Sequence, residues 1–125
     1  MKIIFPFTPT WKQIIPGFWR STTSRPISAP RLPIPVNPAT GEIPEGIEAQ
    51  AEQVLNNVKN LLAAAGASME QVVKTTVFIQ NMDDFGKVNE IYAKYFEGAC
   101  PARSCVEVSK LPKGVLMEME AIAAK

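Results

Sequence analysis

The chain has 125 residues, 46% apolar and 20% charged, which predicts one soluble globular domain with a full core. A net charge of +1 gives no global reason to expect nucleic acid or an anionic membrane as a partner, and no apolar run reaches membrane-spanning length. Histidine is absent, which excludes zinc sites, Ser-His-Asp triads and Cys-His pairs; the two cysteines, Cys100 and Cys105, match neither a disulfide framework nor a metal motif. Met1–Phe7 is too short and too mixed for a signal peptide, so the expected location is cytoplasmic.

Residues 1–44 hold nine of the eleven prolines and no acid before Glu42. Proline donates no amide, so central strands are hard to build at this density. Met1–Phe7 is expected as an edge strand and Gly17–Ser28 as one or two irregular ones. Pro38-Ala39-Thr40-Gly41 is a turn signal.

The clearest helix is predicted over Ile47–Ala65. Ile47, Ala51, Val54, Leu55, Val58, Leu61, Leu62 and Ala65 recur at three- and four-residue spacing, and Gly66 is suited to end the helix. Ser68–Gln71 reads as a short capped turn, and Val72–Gln80, rich in β-branched residues, as a buried strand. A second helix is predicted over Asp83–Phe96, with Asn81 or Asp83 as its cap and Phe85, Val88, Ile91 or Tyr92, Tyr95 and Phe96 as its apolar face.

Two strands close the chain. From Arg103 the sequence alternates, and Val106 and Val108 predict that Ser104's side faces the core, with Arg103, Cys105 and Glu107 turned away. After a Pro/Gly turn, Val115, Met117, Met119 and Ala121 form an apolar row, leaving Glu118 and Glu120 outward between Leu116 and Ile122. The turn predicts that these strands are antiparallel neighbours. Their outer face then mixes charge with large apolar residues, a mixture that points to burial against a second subunit. The expected class is α+β, with two helices on one face of a sheet.

Gly66-Ala67-Ser68, Val72–Phe78, Asn89–Tyr92, Pro101-Ala102-Arg103-Ser104-Cys105-Val106-Glu107-Val108, Leu111–Gly114 and Glu118–Ala121 together resemble the Rid family, the YjgF-type enamine/imine deaminases. The match runs from Asn37 to Ala124. The resemblance implies a chorismate-mutase-like single domain with a mixed sheet, a homotrimer, and active sites in clefts between subunits. It also implies hydrolysis of 2-imino acids such as 2-iminobutanoate and 2-iminopropanoate, without metal, flavin or nucleotide. Arg103 would hold the substrate carboxylate in a bidentate fork, Glu118 would position or activate water, and Cys105 would line the pocket. From the residues alone, Arg103 paired with Glu107 or Glu120 is the simpler reading, as is Glu118 in a structural ion pair.

The first 36 residues depart from the family pattern. Where the family carries Gly-Pro-Tyr-Ser-Gln, this chain reads Pro16-Gly17-Phe18-Trp19-Arg20, so Phe18 would supply the aromatic contact without a hydroxyl. Where it carries Ser-Gly-Gln-x-Pro, this chain reads Ala29-Pro30-Arg31-Leu32-Pro33, and Ser28 either replaces the family serine or leaves its contact unmade. An abrupt boundary of this kind is the pattern of a misread coding frame or of unusual divergence. Two other functions compete. An endoribonuclease that inhibits translation would want a basic groove and usually a histidine; a trimeric ligand-binding protein without catalysis would need neither.

Overall fold

Helix α1 (Ile47–Ala64) forms where apolar side chains return every three or four residues, and it buries Ile47, Ala51, Val54, Leu55, Val58 and Leu62. Leu61, assigned to the same stripe from its spacing, turns outward and is 38% exposed. The helix closes on Gly66 at φ 76°, whose N–H donates to Ala63 O at 3.0 Å while Ala67 N–H donates to Leu62 O at 2.8 Å. This paired closure satisfies two terminal carbonyls and needs a left-handed residue. Buried Gln50 ties the first turn to the rest of the fold: its Nε2 donates to Pro44 O at 3.0 Å and its Oε1 accepts Leu116 N–H at 2.7 Å.

The computed structural model describes residues 26–28, 34–98 and 100–124. Met1–Phe7 and Phe18 lie outside them. Four strands form one mixed sheet: β1 (Pro26–Ser28), β2 (Val72–Ile79), β3 (Ala102–Glu107) and β4 (Met117–Ala124), in the order β1-β4-β2-β3. Strand β1 pairs antiparallel with the end of β4, Ile27 opposite Ala123, so part of the proline-rich start does edge the sheet. An edge is where a residue without an amide proton is tolerated. Helix α2 (Phe85–Tyr95) joins β2 to β3 and packs with α1 over one face of the sheet, where Val88 and Ile91 meet Val77, Ile79, Met117 and Met119 in a common core. None of the helices among the described residues is long and apolar enough to cross a membrane.

The topology corrects the pairing expected for the last two strands. Strand β3 runs parallel to β2, and β4 lies antiparallel on the other side of β2, so β3 and β4 do not pair. The reason is the helical return through α2, which brings the chain back to start β3 at the same end as β2. The link from β3 to β4 then crosses the end of β2. Val108 N–H donates to Ile79 O at 2.9 Å and Gln80 N–H to Leu116 O at 3.0 Å, pinning both ends of that link.

The facing of β3 is corrected as well. Thr75, Val77 and Ile79 of β2 oppose Arg103, Cys105 and Glu107 of β3, and opposite Met119 and Met117 the same β2 residues face the helices. Arg103 and Cys105 therefore lie on the helix side, and Ser104 and Val106 on the other. Val106 is 40% exposed. Its valine character follows from strand propensity on an edge, not from core burial. In β4 the expected alternation is present: Met117, Met119, Ala121 and Ala123 are buried on the helix side, and Glu118 and Glu120 lie on the face turned away from α1 and α2, with Phe78 and Thr76 of β2.

Candidate active site

The β2-α2-β3 unit builds the surroundings of Arg103 from three directions. Thr75 sits directly opposite it in the sheet. Phe85 and Tyr92, two turns apart on α2, share one helix face and reach the same spot. The Arg103 guanidinium carbon lies 4.6 Å from the centroid of the Tyr92 ring and 5.4 Å from that of Phe85. Buried Thr75 exchanges a 2.8 Å hydrogen bond with the Tyr92 hydroxyl, and Tyr92 stacks at 4.5 Å on Phe96 on its way into the core.

No carboxylate among the described residues pairs with Arg103. Glu107, the acid on the same side of β3, is engaged elsewhere: its Oε2 accepts Met82 N–H at 2.7 Å. With Asn81 Oδ1 accepting Asp83 N–H at 3.0 Å, it caps the 3-10 turn Met82–Asp84 that leads into α2. Glu107→Ala is expected to cost about 0.5–2 kcal/mol of stability, the range for a lost helix cap, and Glu107→Gln to recover most of it. Urea unfolding at fixed protein concentration measures both; an unchanged midpoint for the alanine variant contradicts the capping role.

Cys105 is half-buried beside this cluster. Burial pushes its thiol above the usual range, with Arg103 pulling the other way, so the thiol is neutral near pH 7 and poorly suited to nucleophilic attack. Cys100 is exposed, with Sγ directed at Phe96 O at 3.6 Å. Burial also raises the Tyr92 phenol, which keeps it a hydrogen-bonding hydroxyl.

Glu118 lies on the opposite face of the sheet. It is 5% exposed, and burial lifts its carboxyl above the ordinary glutamate value. Arg103 and Glu118, read from the sequence as sharing one outer face, are thus separated by the sheet within a single chain. Thr75 and Tyr92 were not singled out in the sequence. The signal available was the seven-residue spacing of Phe85 and Tyr92, which places two rings on one helix face, but locating Arg103 above them required the parallel register of β3.

The protein-family model described as endoribonuclease L-PSP matches residues 33–125. The chain belongs to the Rid (YjgF, L-PSP) family. The 2-iminobutanoate/2-iminopropanoate deaminase of Escherichia coli K12 is 52% identical over 95 residues, 74% of either chain. A RutC family protein of Pyrococcus horikoshii is 56% identical over 93 residues, again 74% of either chain. Among solved structures, the YjgF gene product of Escherichia coli superposes with a TM-score of 0.77 at 48% identity, covering 80% of each chain. Escherichia coli TdcF with bound serine gives 0.74 at 46% identity, covering 76% of this chain and 77% of that one. The Rid match begins at residue 33, so it leaves outside it the proline-rich start that departs from the family pattern.

Proposed function

We propose that this chain hydrolyses 2-imino acids such as 2-iminobutanoate and 2-iminopropanoate to the 2-oxo acid and ammonia. The observation that carries the proposal is Arg103: a guanidinium whose carbon lies over two rings, with no carboxylate partner among the described residues. Such a group is a ready receptor for a ligand carboxylate, which its planar fork holds bidentately. The deaminase relative supports the substrate class, and serine, held in the TdcF structure, carries the same α-carboxylate.

Glu118 supplies the second requirement. A buried carboxyl whose pKa is raised is a better proton acceptor near neutral pH than an ordinary glutamate. In the proposed reaction Glu118 takes a proton from water as the water oxygen bonds to the imine carbon; the C=N π pair moves to nitrogen, which takes up the proton from Glu118 to give a carbinolamine. Glu118 then accepts the carbinolamine hydroxyl proton as the carbonyl forms, and the nitrogen, protonated in exchange, leaves as ammonia when the C–N bond breaks. Because Arg103 and Glu118 occupy opposite faces of one sheet, a site using both draws them from two copies of the chain. A homotrimer with sites between subunits meets that need. Cys105 lines the pocket, and Phe18, from the divergent start, would supply an apolar contact.

The test is ammonia release from freshly generated 2-iminobutanoate. Wild type is expected to exceed the spontaneous rate and Arg103→Ala to fall close to it. A wild-type protein that leaves the spontaneous rate unchanged defeats the deaminase reading.

A further inference from the structure

We infer that Phe85 and Tyr92 are positioning residues, an aromatic seat that sets the direction in which Arg103 presents its guanidinium to a ligand carboxylate. This rests on Arg103 as the carboxylate holder proposed above. A guanidinium carries its five N–H donors in the plane of the group, so rings that meet it through their π faces hold it without consuming a donor. An acidic partner would hold it equally well but would occupy the fork. The nearest acid on its own strand, Glu107, is instead bonded to the Met82 amide at 2.7 Å.

The seat is itself fixed. Tyr92 is 6% exposed and bounded on three sides: Phe96 at 4.5 Å between ring centroids, Arg103 at 4.6 Å, and Thr75 bonded to its hydroxyl at 2.8 Å. Thr75 is the register partner of Arg103 in β2, so one pair of facing residues fixes both the ring and the cation above it. Phe85 lies at the start of α2, directly after the turn that Glu107 caps. An arginine on an edge strand has many rotamers available. Restricting them before the ligand arrives removes part of the ordering cost of binding.

The probe is 2-oxobutanoate, the stable product, titrated calorimetrically into the assembled protein. Tyr92→Leu is expected to weaken its affinity about five- to thirty-fold, the range for a partly desolvated cation–π contact. Phe85→Leu should act in the same direction, with KM for the imine rising more than kcat falls. Tyr92→Phe keeps the ring face and should bind within about two-fold of wild type, although it loses the Thr75 bond and some thermal stability. A ring that merely fills the core predicts losses in Tm with affinity untouched. Folded Tyr92→Leu and Phe85→Leu proteins that bind like wild type overturn the seat, as does a Tyr92→Phe that binds as poorly as Tyr92→Leu. If Tyr92→Leu does not fold, Phe85→Leu, whose site is only half-buried, decides the question alone. Arg103→Ala separates the two proposals: unchanged affinity in that variant defeats Arg103 as carboxylate holder, whatever the ring variants do.

Discussion

Glu118→Gln is expected to lose about a hundred- to ten-thousand-fold in kcat, with KM little changed, the loss typical of a removed general base. The amide keeps the shape and much of the hydrogen bonding of the carboxylate but cannot accept the proton of the attacking water. Arg103→Lys should fail differently. It keeps the positive charge and loses the bidentate fork, so KM should rise by about ten- to a hundred-fold, the worth of a charge-assisted hydrogen bond, with a smaller fall in kcat from misorientation. Cys105→Ala, whose thiol is held neutral, should lose far less of kcat than Glu118→Gln. A well-folded Cys105→Ala that is inactive beside an active Glu118→Gln would overturn this assignment and make the thiol the nucleophile.

The pH dependence carries a sign that belongs to the same experiment. Burial raises the Glu118 carboxyl above its ordinary value of 4.5, so the protonated form persists to higher pH than in an exposed glutamate. Wild-type kcat should climb through that raised pKa as the base ionises, and the limb should vanish in Glu118→Gln. Stability moves the opposite way. A carboxyl bound more tightly to its proton in the folded state stabilises below the ordinary value, and that contribution is lost as pH rises through the raised one. The group gains its function over the same interval in which it becomes a burden on the fold.

The second large effect is complementation between two inactive proteins. Arg103→Ala and Glu118→Gln should each be nearly inactive alone, yet co-expressed in one cell they should regain activity. Within one chain the two residues lie on opposite faces of the sheet, so under the proposed mechanism an intact site would form wherever the arginine of one copy meets the glutamate of the next. For random mixing in a ring of three, about a quarter of the interfaces pair both intact residues, so about a quarter of wild-type activity is expected. Sedimentation checks that the mixture is trimeric. Activity no greater than the sum of the two parents in a mixed trimer would place both groups in one chain's site, or would remove one of them from the chemistry.

Much of the fold was legible because it rests on periodicity. The stripe of α1, the closure at Gly66, the β-branched run of β2 and the apolar row of β4 are local signals, and each element lies within a residue or two of its expected bounds. What failed were inferences about neighbours. The Pro/Gly segment Leu111–Gly114 has the composition of a hairpin, but nothing in it records that β2 already occupies the position beside β4. Val106 and Val108 suggested a core face on a strand whose facing is set instead by Thr75 and Val77 across the ladder. The candidate residues were found by motif, since Arg103, Cys105 and Glu118 sit in stretches that carry the family pattern. Their relative placement was not found, because facing on an edge strand is decided by register and not by composition.

One consequence of the edge position of β3 concerns the chain before it meets any other copy. Along one side β3 is bonded to β2; along the other no strand lies beside it among the described residues. An unpaired ladder of amides and carbonyls is a template for the wrong strand, and natural sheets deter such additions with charge turned inward on the edge. Arg103 is a charge of that kind. If Arg103 holds the substrate as proposed, the same charge would also discourage strand addition at this edge in the newly made chain.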